Sequence, residues 1–475
     1  MPRIEVESKW RDLFKEGRSV YTLILILGMT LYAMDAFTVA TIMPTVVTSI
    51  GGEQFYAWVL MLYMTASIVG AASGGPLKLR LGTRGGFVTA GILFLLGTLV
   101  AGLSLSMPVM LVGRLVAGLG AGLIAAQCTA LISEIFPASL RTRMIAAIST
   151  VWAASAIAGP LVGGVFAQLG FWRGAFFFSA AIIITFTIMA YRVLPKKPAT
   201  EKPLSINFQI GRLTLLAISV LLIGTTGNVS TTYSQITLFS LGTVLLVLVV
   251  RLDSSIGKNG LLPSRAFSLK SPVGTALWIL LLISTAPVAI GLYMPLAYQI
   301  IYGLSPIAAG YLGALLALFW TLGSVLSAGL RIAAQRTVLI LGPTMASLGI
   351  MGVGLTIGQL PWFVIAGFTS LAGLGIGICI PHLMNWTMSL ARKGEESITA
   401  ASIQTVRSLG IALAAAIAGL IANNAGFSDG IDRDSVVRGI SWIETAAALA
   451  PALAAAIGLN LIRYREHLPT AHKVE

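Results

Sequence analysis

Long apolar segments recur along the whole chain and restrict the folds that it can adopt. A membrane-spanning helix needs about 20 apolar residues, and because lipid offers the backbone no hydrogen-bond partners, such segments are expected to be helices. Fourteen segments approach or exceed this length, at about 20–43, 57–77, 84–105, 108–133, 144–168, 173–193, 210–228, 234–251, 272–300, 307–330, 337–357, 361–391, 398–422 and 439–462. The sequence therefore predicts an all-α polytopic membrane protein. Its charged content of 10% agrees, since soluble domains have about a quarter.

The basic residues test this count and orient the chain. If the N-terminus is cytoplasmic, all but five of the 31 lysine and arginine residues fall in cytoplasmic loops or tails, as the positive-inside rule requires. We therefore attribute the net charge of +14 to membrane topology and not to nucleic-acid binding. Both termini are predicted to be cytoplasmic.

The spans are grouped six, two and six, which indicates a transporter built from two similar halves. We predict an N-terminal tail and six-helix bundle at 1–193, a linker with two extra helices at 194–271, and a second six-helix bundle with a short tail at 272–475. Residues 2–18 fit either a short helix at the membrane surface or a disordered tail.

Two charged residues lie deep inside spans, Asp35 in the first and Arg114 in the fourth. Such residues are costly in a membrane and usually functional. Asp35 is interpreted as the only acid well inside a span. At a rise of about 1.5 Å per residue, both residues lie about 21 Å from the cytoplasmic surface of a core about 30 Å thick. We predict that they pair beside a central cavity and exchange protons in competition with substrate; the alternative is a static salt bridge between two helices.

The loop between the second and third spans resembles that of the major facilitator superfamily, which reads Gly-x-Leu-Ala-Asp-Arg-x-Gly-Arg-Arg/Lys. The matching residues are Gly75, Leu77, Arg80, Gly82 and Arg84. In that superfamily the aspartate helps to latch the two halves together on the cytoplasmic side. Leu79 replaces it here, so the latch is expected to be altered, and Glu134 is a candidate partner for Arg80 or Arg84.

The resemblance narrows to the fourteen-helix drug:proton antiporter family. The residues that carry it are Asp35, Ala40 to Pro44, Trp58, Tyr63, Arg114, Gly118, Gly120, Gly122, Ser133 to Pro137, Arg141, Trp172 and Arg173 in the first half, with Tyr293 to Gln299, Gly303 to Pro306, Ala309, Gly310, Gln404, Arg407, Gly410 and Ala412 in the second. It implies the major facilitator fold, with two extra central helices. It also associates Arg114 with proton coupling.

The fifth span carries the antiporter motif of this family in part. Gly159, Pro160, Gly163 and Gly164 are present, whereas Ala146 and Ser155 stand where the family usually has glycines. Small residues permit close helix contact and a proline bends a helix. The motif is therefore predicted to shape a contact with a neighbouring helix across the cavity.

Further polar and aromatic residues are candidates for the cavity wall. They are Trp58, Tyr63, Trp152, Tyr298, Gln299, His382, Asn385, Gln404 and Arg407. His382 and Arg407 also fit structural roles, such as bonding to backbone carbonyls.

No sequence pattern indicates an enzyme. There is no phosphate-binding glycine loop and no metal-ligand spacing among the histidines. We predict a monomeric secondary transporter of the inner membrane that exports an amphipathic small molecule in exchange for protons, without a cofactor. An importer or uniporter is the alternative favoured by Leu79 and the partial fifth-span motif, and a membrane scaffold or sensor is a further one.

Overall fold

A computed structural model describes residues 10–15, 17–196, 206–229, 231–254, 262–328, 330–392 and 395–466. This part of the chain contains fourteen helices long and apolar enough to cross a membrane and no β-strand. They are α1 (Ser19–Ile50), α2 (Glu53–Gly75), α3 (Arg80–Gly102), α4 (Met107–Ile135), α5 (Ala138–Gln168), α6 (Arg173–Val193), α7 (Ile206–Thr225), α8 (Thr232–Ser254), α9 (Pro272–Ile300), α10 (Pro306–Ser327), α11 (Ile332–Thr356), α12 (Trp362–Ser389), α13 (Glu396–Ala422) and α14 (Arg433–Glu466). The predicted all-α class and number of spans are confirmed.

Two helix boundaries differ from the prediction for a local reason. The first span was expected to stop before Pro44, but α1 continues through it to Ile50, since membrane helices tolerate a proline whose freed backbone groups find other partners. Helices α2 and α3 belong to one helical run, Trp58–Gly102, which breaks where Gly82 adopts a φ of 71°. Only glycine takes this conformation readily.

Within the described part of the N-terminal segment, Trp10–Phe14 forms a 3₁₀ turn. Leu13 is buried, and the Thr22 hydroxyl donates a hydrogen bond of 2.7 Å to its carbonyl oxygen. The turn is therefore fixed to the start of α1. The rest of the predicted surface helix, residues 2–9 and 16, lies outside the described residues.

Helix α4 packs very closely on α2 through its glycines. A Cβ atom on Gly118 would lie 2.3 Å from the carbonyl oxygen of Tyr63, and one on Gly122 would lie 2.1 Å from that of Ser67. Only glycine permits backbones to approach so closely. This contact holds Arg114, one turn before Gly118, against α2.

The two central helices are joined to each other, and α7 packs against both halves. A buried ion pair between Arg212 and Asp253 links α7 to α8. Gly224 of α7 lies against Met61 of α2 and, farther off, Ala416 of α13. Helix α7 therefore contacts both six-helix sets.

The halves meet at the side of the bundle opposite to the start of α1 and the end of α14, which we call the distal side. The Tyr56 hydroxyl donates to the Leu292 carbonyl at 3.3 Å, and the rings of Tyr56 and Tyr293 stack with centroids 5.3 Å apart. The Asn423 amide donates to the Gln54 carbonyl at 2.9 Å. We call this contact the distal seam.

We expect Gly164→Leu to open the distal seam. A Cβ atom on Gly164 would lie 2.7 Å from the Cα atom of Ile307 in α10, so a larger side chain pushes the two halves apart. The thiol of Ala57→Cys, buried in the seam beside Gly419, should then react with a membrane-impermeant maleimide about tenfold faster, which corresponds to about 1.4 kcal/mol.

The control for this experiment is Gly367→Leu, because nothing lies within 4 Å of a Cβ atom added at Gly367. The native thiols of Cys128 and Cys379 are buried and should label slowly. Equal labelling in both leucine variants would show that the α5–α10 contact does not hold the seam closed.

Candidate functional site

A charged pair joins α1 to α4 in the middle of the first half. Nη1 and Nη2 of Arg114 donate to Oδ1 and Oδ2 of Asp35 at 3.0 and 2.8 Å. Asp35 is 5% exposed and Arg114 is 1% exposed. Two parallel bonds between ionised groups are the strongest arrangement that such a pair forms. The structure thus brings together the two charged residues that the sequence placed at one depth.

Arg114 has further partners on α2. Its guanidinium lies 4.2 Å from the centroid of the Tyr63 ring, and its Nε approaches the Val59 carbonyl at 3.5 Å. A cation over an aromatic face is stabilised by the ring quadrupole. The guanidinium is therefore held by α2 as well as by Asp35.

Aromatic rings extend from this pair toward the second half. Tyr32, one turn before Asp35, lies 6.3 Å from Tyr63 in a stacked arrangement and 5.8 Å from Trp152 of α5 edge to face. Tyr32 is 7% exposed, and Trp152 is 36% exposed. The first half therefore presents an aromatic surface beside the charged pair.

The second half presents a cation and an aromatic ring at the same level. Arg407 of α13 lies within electrostatic range of Tyr32, and its guanidinium is 5.9 Å from the ring centroid of Trp320 in α10. Arg407 is half-buried. We call the space bounded by Tyr32, Trp152, Trp320 and Arg407 the central cleft.

The glycine-proline motif of α5 makes contacts on two sides. Gly159 and Gly163 lie against α1, where the Thr38 hydroxyl donates to the Gly159 carbonyl at 3.3 Å. On the other side, a Cβ atom on Gly310 of α10 would lie 2.9 Å from the Cβ atom of Pro160, and Gly164 also faces α10. The motif thus joins the helix of Asp35 to the opposite half, as its small residues predicted.

The segment between α2 and α3, which was predicted to be a loop, is helical in the structure and makes its contacts within the first half. Glu134 forms an ion pair with Lys78, which corrects the suggested pairing with Arg80 or Arg84. The Arg84 Nε atom donates instead to the Leu194 carbonyl at 2.7 Å, after α6, and Arg80 is exposed. Gly75 continues the helix, and Gly82 provides the break. Lys78 was missed because the motif directs attention to the arginines.

The other predicted cavity residues lie in several places. In the distal region, the Trp58 indole donates to Asn228 after α7 at 3.1 Å, Gln299 donates to the Pro295 carbonyl of its own helix at 3.2 Å, and Tyr298 is fully buried. On α12, Nε2 of His382 donates to the Ser327 carbonyl at 2.9 Å, and Asn385 is exposed. Gln404 is exposed one turn before Arg407 and donates to Ser408 at 3.3 Å.

A second acid inside the membrane-spanning region was missed. Glu444 of α14 is fully buried, so the interpretation of Asp35 as the only acid well inside a span is wrong. The signal was available, since Glu444 lies within the span predicted at 439–462 and 11 residues after the first residue of α14. Among the described residues, no three histidine, cysteine or acidic side chains form a metal-binding group.

Comparison with known proteins finds one family. The family model of the Major Facilitator Superfamily matches residues 25–415. The chain is 31% identical over 440 residues to a probable multidrug-efflux transporter of Mycobacterium tuberculosis, an alignment that covers 88% of this chain and 90% of that protein.

Solved structures share the fold. A bacterial homologue of the human lysosomal transporter Spinster aligns with a TM-score of 0.68 at 14% identity, covering 96% of this chain and 100% of its own. A D-xylose–proton symporter aligns with a TM-score of 0.64 at 15% identity, covering 93% and 97%. These likenesses show that the overall fold is shared.

We expect the buried pair to be essential for stability and its two members to be unequal. Asp35→Asn leaves a buried guanidinium that cannot lose its proton, and should destabilise the protein by about 3–5 kcal/mol. Arg114→Gln should cost less, because the remaining carboxylate can accept a proton. The double variant Asp35→Asn/Arg114→Gln should be more stable than Asp35→Asn alone.

Thermal unfolding of the purified protein in detergent measures these effects. Lys78→Gln is the control, since its partner Glu134 is 44% exposed and exposed pairs contribute about 1 kcal/mol or less. Additive losses in the double variant would contradict direct coupling between Asp35 and Arg114.

Proposed function

The chain belongs to the major facilitator superfamily, and we propose that it exports small amphipathic molecules in exchange for protons. It is a multi-pass membrane transporter of small molecules. The observation that carries the proposal is the buried, two-bond Asp35–Arg114 pair beside the central cleft. The name of the 31% identical relative, a probable multidrug-efflux transporter, supports the direction and substrate class.

Proton binding to Asp35 would break its ion pair with Arg114. The neutral carboxyl group no longer holds both guanidinium nitrogens, whereas Arg114 keeps the Tyr63 ring and the Val59 carbonyl. The pair therefore separates without leaving the cation unpartnered, which lowers the cost of the step.

Separation of the pair changes the charge at the cleft. While the pair is formed its charges cancel, and once Asp35 is protonated Arg114 contributes an uncompensated positive charge next to Tyr32 and Tyr63. A cationic substrate is then repelled, and the apolar body of an uncharged substrate meets a more polar and less favourable surface. Proton binding and substrate binding oppose each other, as antiport requires.

The positive charge of Arg407 limits how much positive charge a substrate can carry. Among the described residues it has an aromatic neighbour, Trp320, and no carboxylate partner, so the cleft is positively charged even when Asp35 and Arg114 are paired. The aromatic side chains of Tyr32, Trp152 and Trp320 suit an apolar body. We infer that neutral and singly charged cationic amphipathic molecules are transported in preference to dications.

The remaining features of the proposal follow from topology. We place the protein in the inner membrane as a monomer with both termini cytoplasmic, so that the closed distal seam faces outward and the halves move about the α5–α10 contact. We propose that the proton gradient across the membrane supplies the energy. The proposal includes no cofactor, no catalytic activity and no nucleic-acid partner. An importer or a uniporter is the alternative that the transport assay below separates.

Proteoliposomes test the coupling. We expect wild-type protein to move a neutral amphipathic fluorescent dye against its gradient when the opposite proton gradient is imposed, and to move protons when the dye gradient alone is imposed. Asp35→Asn should reduce dye-driven proton flow at least about tenfold, because an amide does not bind the proton in this pH range.

The matched control is Asp429→Asn in the exposed segment before α14, which should keep full coupling. Dye movement without proton flow in the wild type would support a uniporter, and movement of both in the same direction would support an importer. Undiminished proton flow in Asp35→Asn would identify another group as the proton carrier.

Arg407→Gln should allow the protein to transport more highly charged cations. Removal of an uncompensated cation from the central cleft should raise transport of a dicationic dye relative to a monocationic one by about tenfold, or about 1.4 kcal/mol. Arg407→Lys retains the charge and should retain the wild-type ratio. A ratio that changes equally in both variants would show that the shape of Arg407, and not its charge, matters.

A further inference from the structure

Glu444 lies in a polar cluster inside the second half, away from the central cleft. The carboxyl group is fully buried, and neither oxygen has a hydrogen-bond partner among the residues that the structure describes. The hydroxyl of Tyr298 on α9 lies within electrostatic range of Glu444 and also approaches the hydroxyl of Thr369 on α12. Both hydroxyl groups are buried without a bonded partner in the described structure. Three helices therefore direct polar atoms into one apolar region.

Among the residues that the structure describes, no cation is bonded to Glu444, since neither of its oxygens has a hydrogen-bond partner. Helix α9 contributes Tyr298, whose own neighbour on α12 is Thr369. Helix α11 contributes the backbone at Gly354, which packs against Ser441 and Thr445 of α14. On α14 itself, Arg438 lies nearest in sequence, and its guanidinium reaches the Ala425 carbonyl at 3.5 Å.

The start of α14 is held in place by a separate contact. The Asp432 carboxylate accepts a hydrogen bond of 2.7 Å from the backbone N–H of Ser435, which lowers the pKa of Asp432. This cap fixes the first turn of α14.

An isolated carboxylate in such surroundings is far less stable than the neutral acid. The neutral form carries one O–H donor and no charge, so it needs no cation beside it. The cluster is therefore suited to a carboxylic acid and unsuited to a carboxylate, unlike Asp35, which has a guanidinium beside it.

We propose that Glu444 is a second proton-binding site of this transporter, reached from the distal side. The step is the addition of one proton to a carboxylate oxygen and its later loss to water. Access is given by α9, because the helix that carries Tyr298 also carries Leu292 and Tyr293 into the distal seam. Separation of the seam moves α9 and hydrates the cluster. The coupling role rests on the proposed function, whereas proton binding does not.

Infrared spectroscopy of the purified protein tests proton binding without any transport. The carbonyl stretch of a protonated carboxylic acid is resolved from amide and carboxylate bands. We expect a band that is present at neutral pH, shifts in deuterated water, is lost in Glu444→Gln, remains in Asp35→Asn, and weakens as the pH is raised with the seam opened by Gly164→Leu. Glu444→Gln should unfold at the wild-type temperature, because it replaces a neutral acid by a neutral amide of similar shape.

Proteoliposome transport then tests coupling. Glu444→Gln should carry one proton fewer per substrate molecule than the wild type. Absence of a band assigned to Glu444 overturns the site, and so does a band that no pH changes even in Gly164→Leu, since the acid is then structural. If the Glu444 band titrates but Glu444→Gln transports the same number of protons per substrate molecule as the wild type, the coupling role is overturned. If the wild type itself transports substrate without moving protons, the proposed function is overturned, but the infrared evidence for proton binding at Glu444 still holds.

Discussion

The need to compensate charge inside an apolar bundle determines the arrangement of the first half. Asp35 and Arg114 satisfy each other with two short bonds, which requires α1 and α4 to present them at one depth. The close approach of Gly118 and Gly122 to the α2 backbone holds α4 in the position that this pair needs. The Thr38–Gly159 bond then links the helix of Asp35 to α5. The ion pair, the glycine packing of α4 on α2 and the contact between the halves are thus connected through α1, α4 and α5.

The sequence was sufficient for the spans and for the pair because both follow from length. Helix length is set by bilayer thickness, and depth along a helix is set by a fixed rise per residue. An error of one residue in a predicted boundary therefore changes the derived depth by only about 1.5 Å. Pro44 shows the limit of this reasoning, since a residue that usually ends a helix lies inside α1.

The sequence was not sufficient for the direction in which side chains point. Trp58 and Tyr63 lie five residues apart on one helix, yet Trp58 binds the loop after α7 and Tyr63 supports Arg114. His382 is bonded to a carbonyl of α10, which only the relative rotation of the two helices decides. Glu134 pairs with Lys78 and not with the arginines of the motif, and this too is decided by the relative rotation of the helices. These outcomes depend on packing between helices, which the apolar pattern of a membrane span encodes weakly.

Asp35 and Glu444 show how neighbours give one functional group two different chemical forms. Both are carboxyl groups at 5% exposure or less. Arg114 supplies Asp35 with a fixed charge that only a rearrangement of the pair removes, whereas neither oxygen of Glu444 has a hydrogen-bond partner among the described residues. In the two proposed steps, one site therefore binds a proton by giving up an ion pair, and the other by neutralising a charge that no cation compensates. Because the first lies beside the cleft and the second behind the seam, opposite movements of the same two halves would expose them in turn.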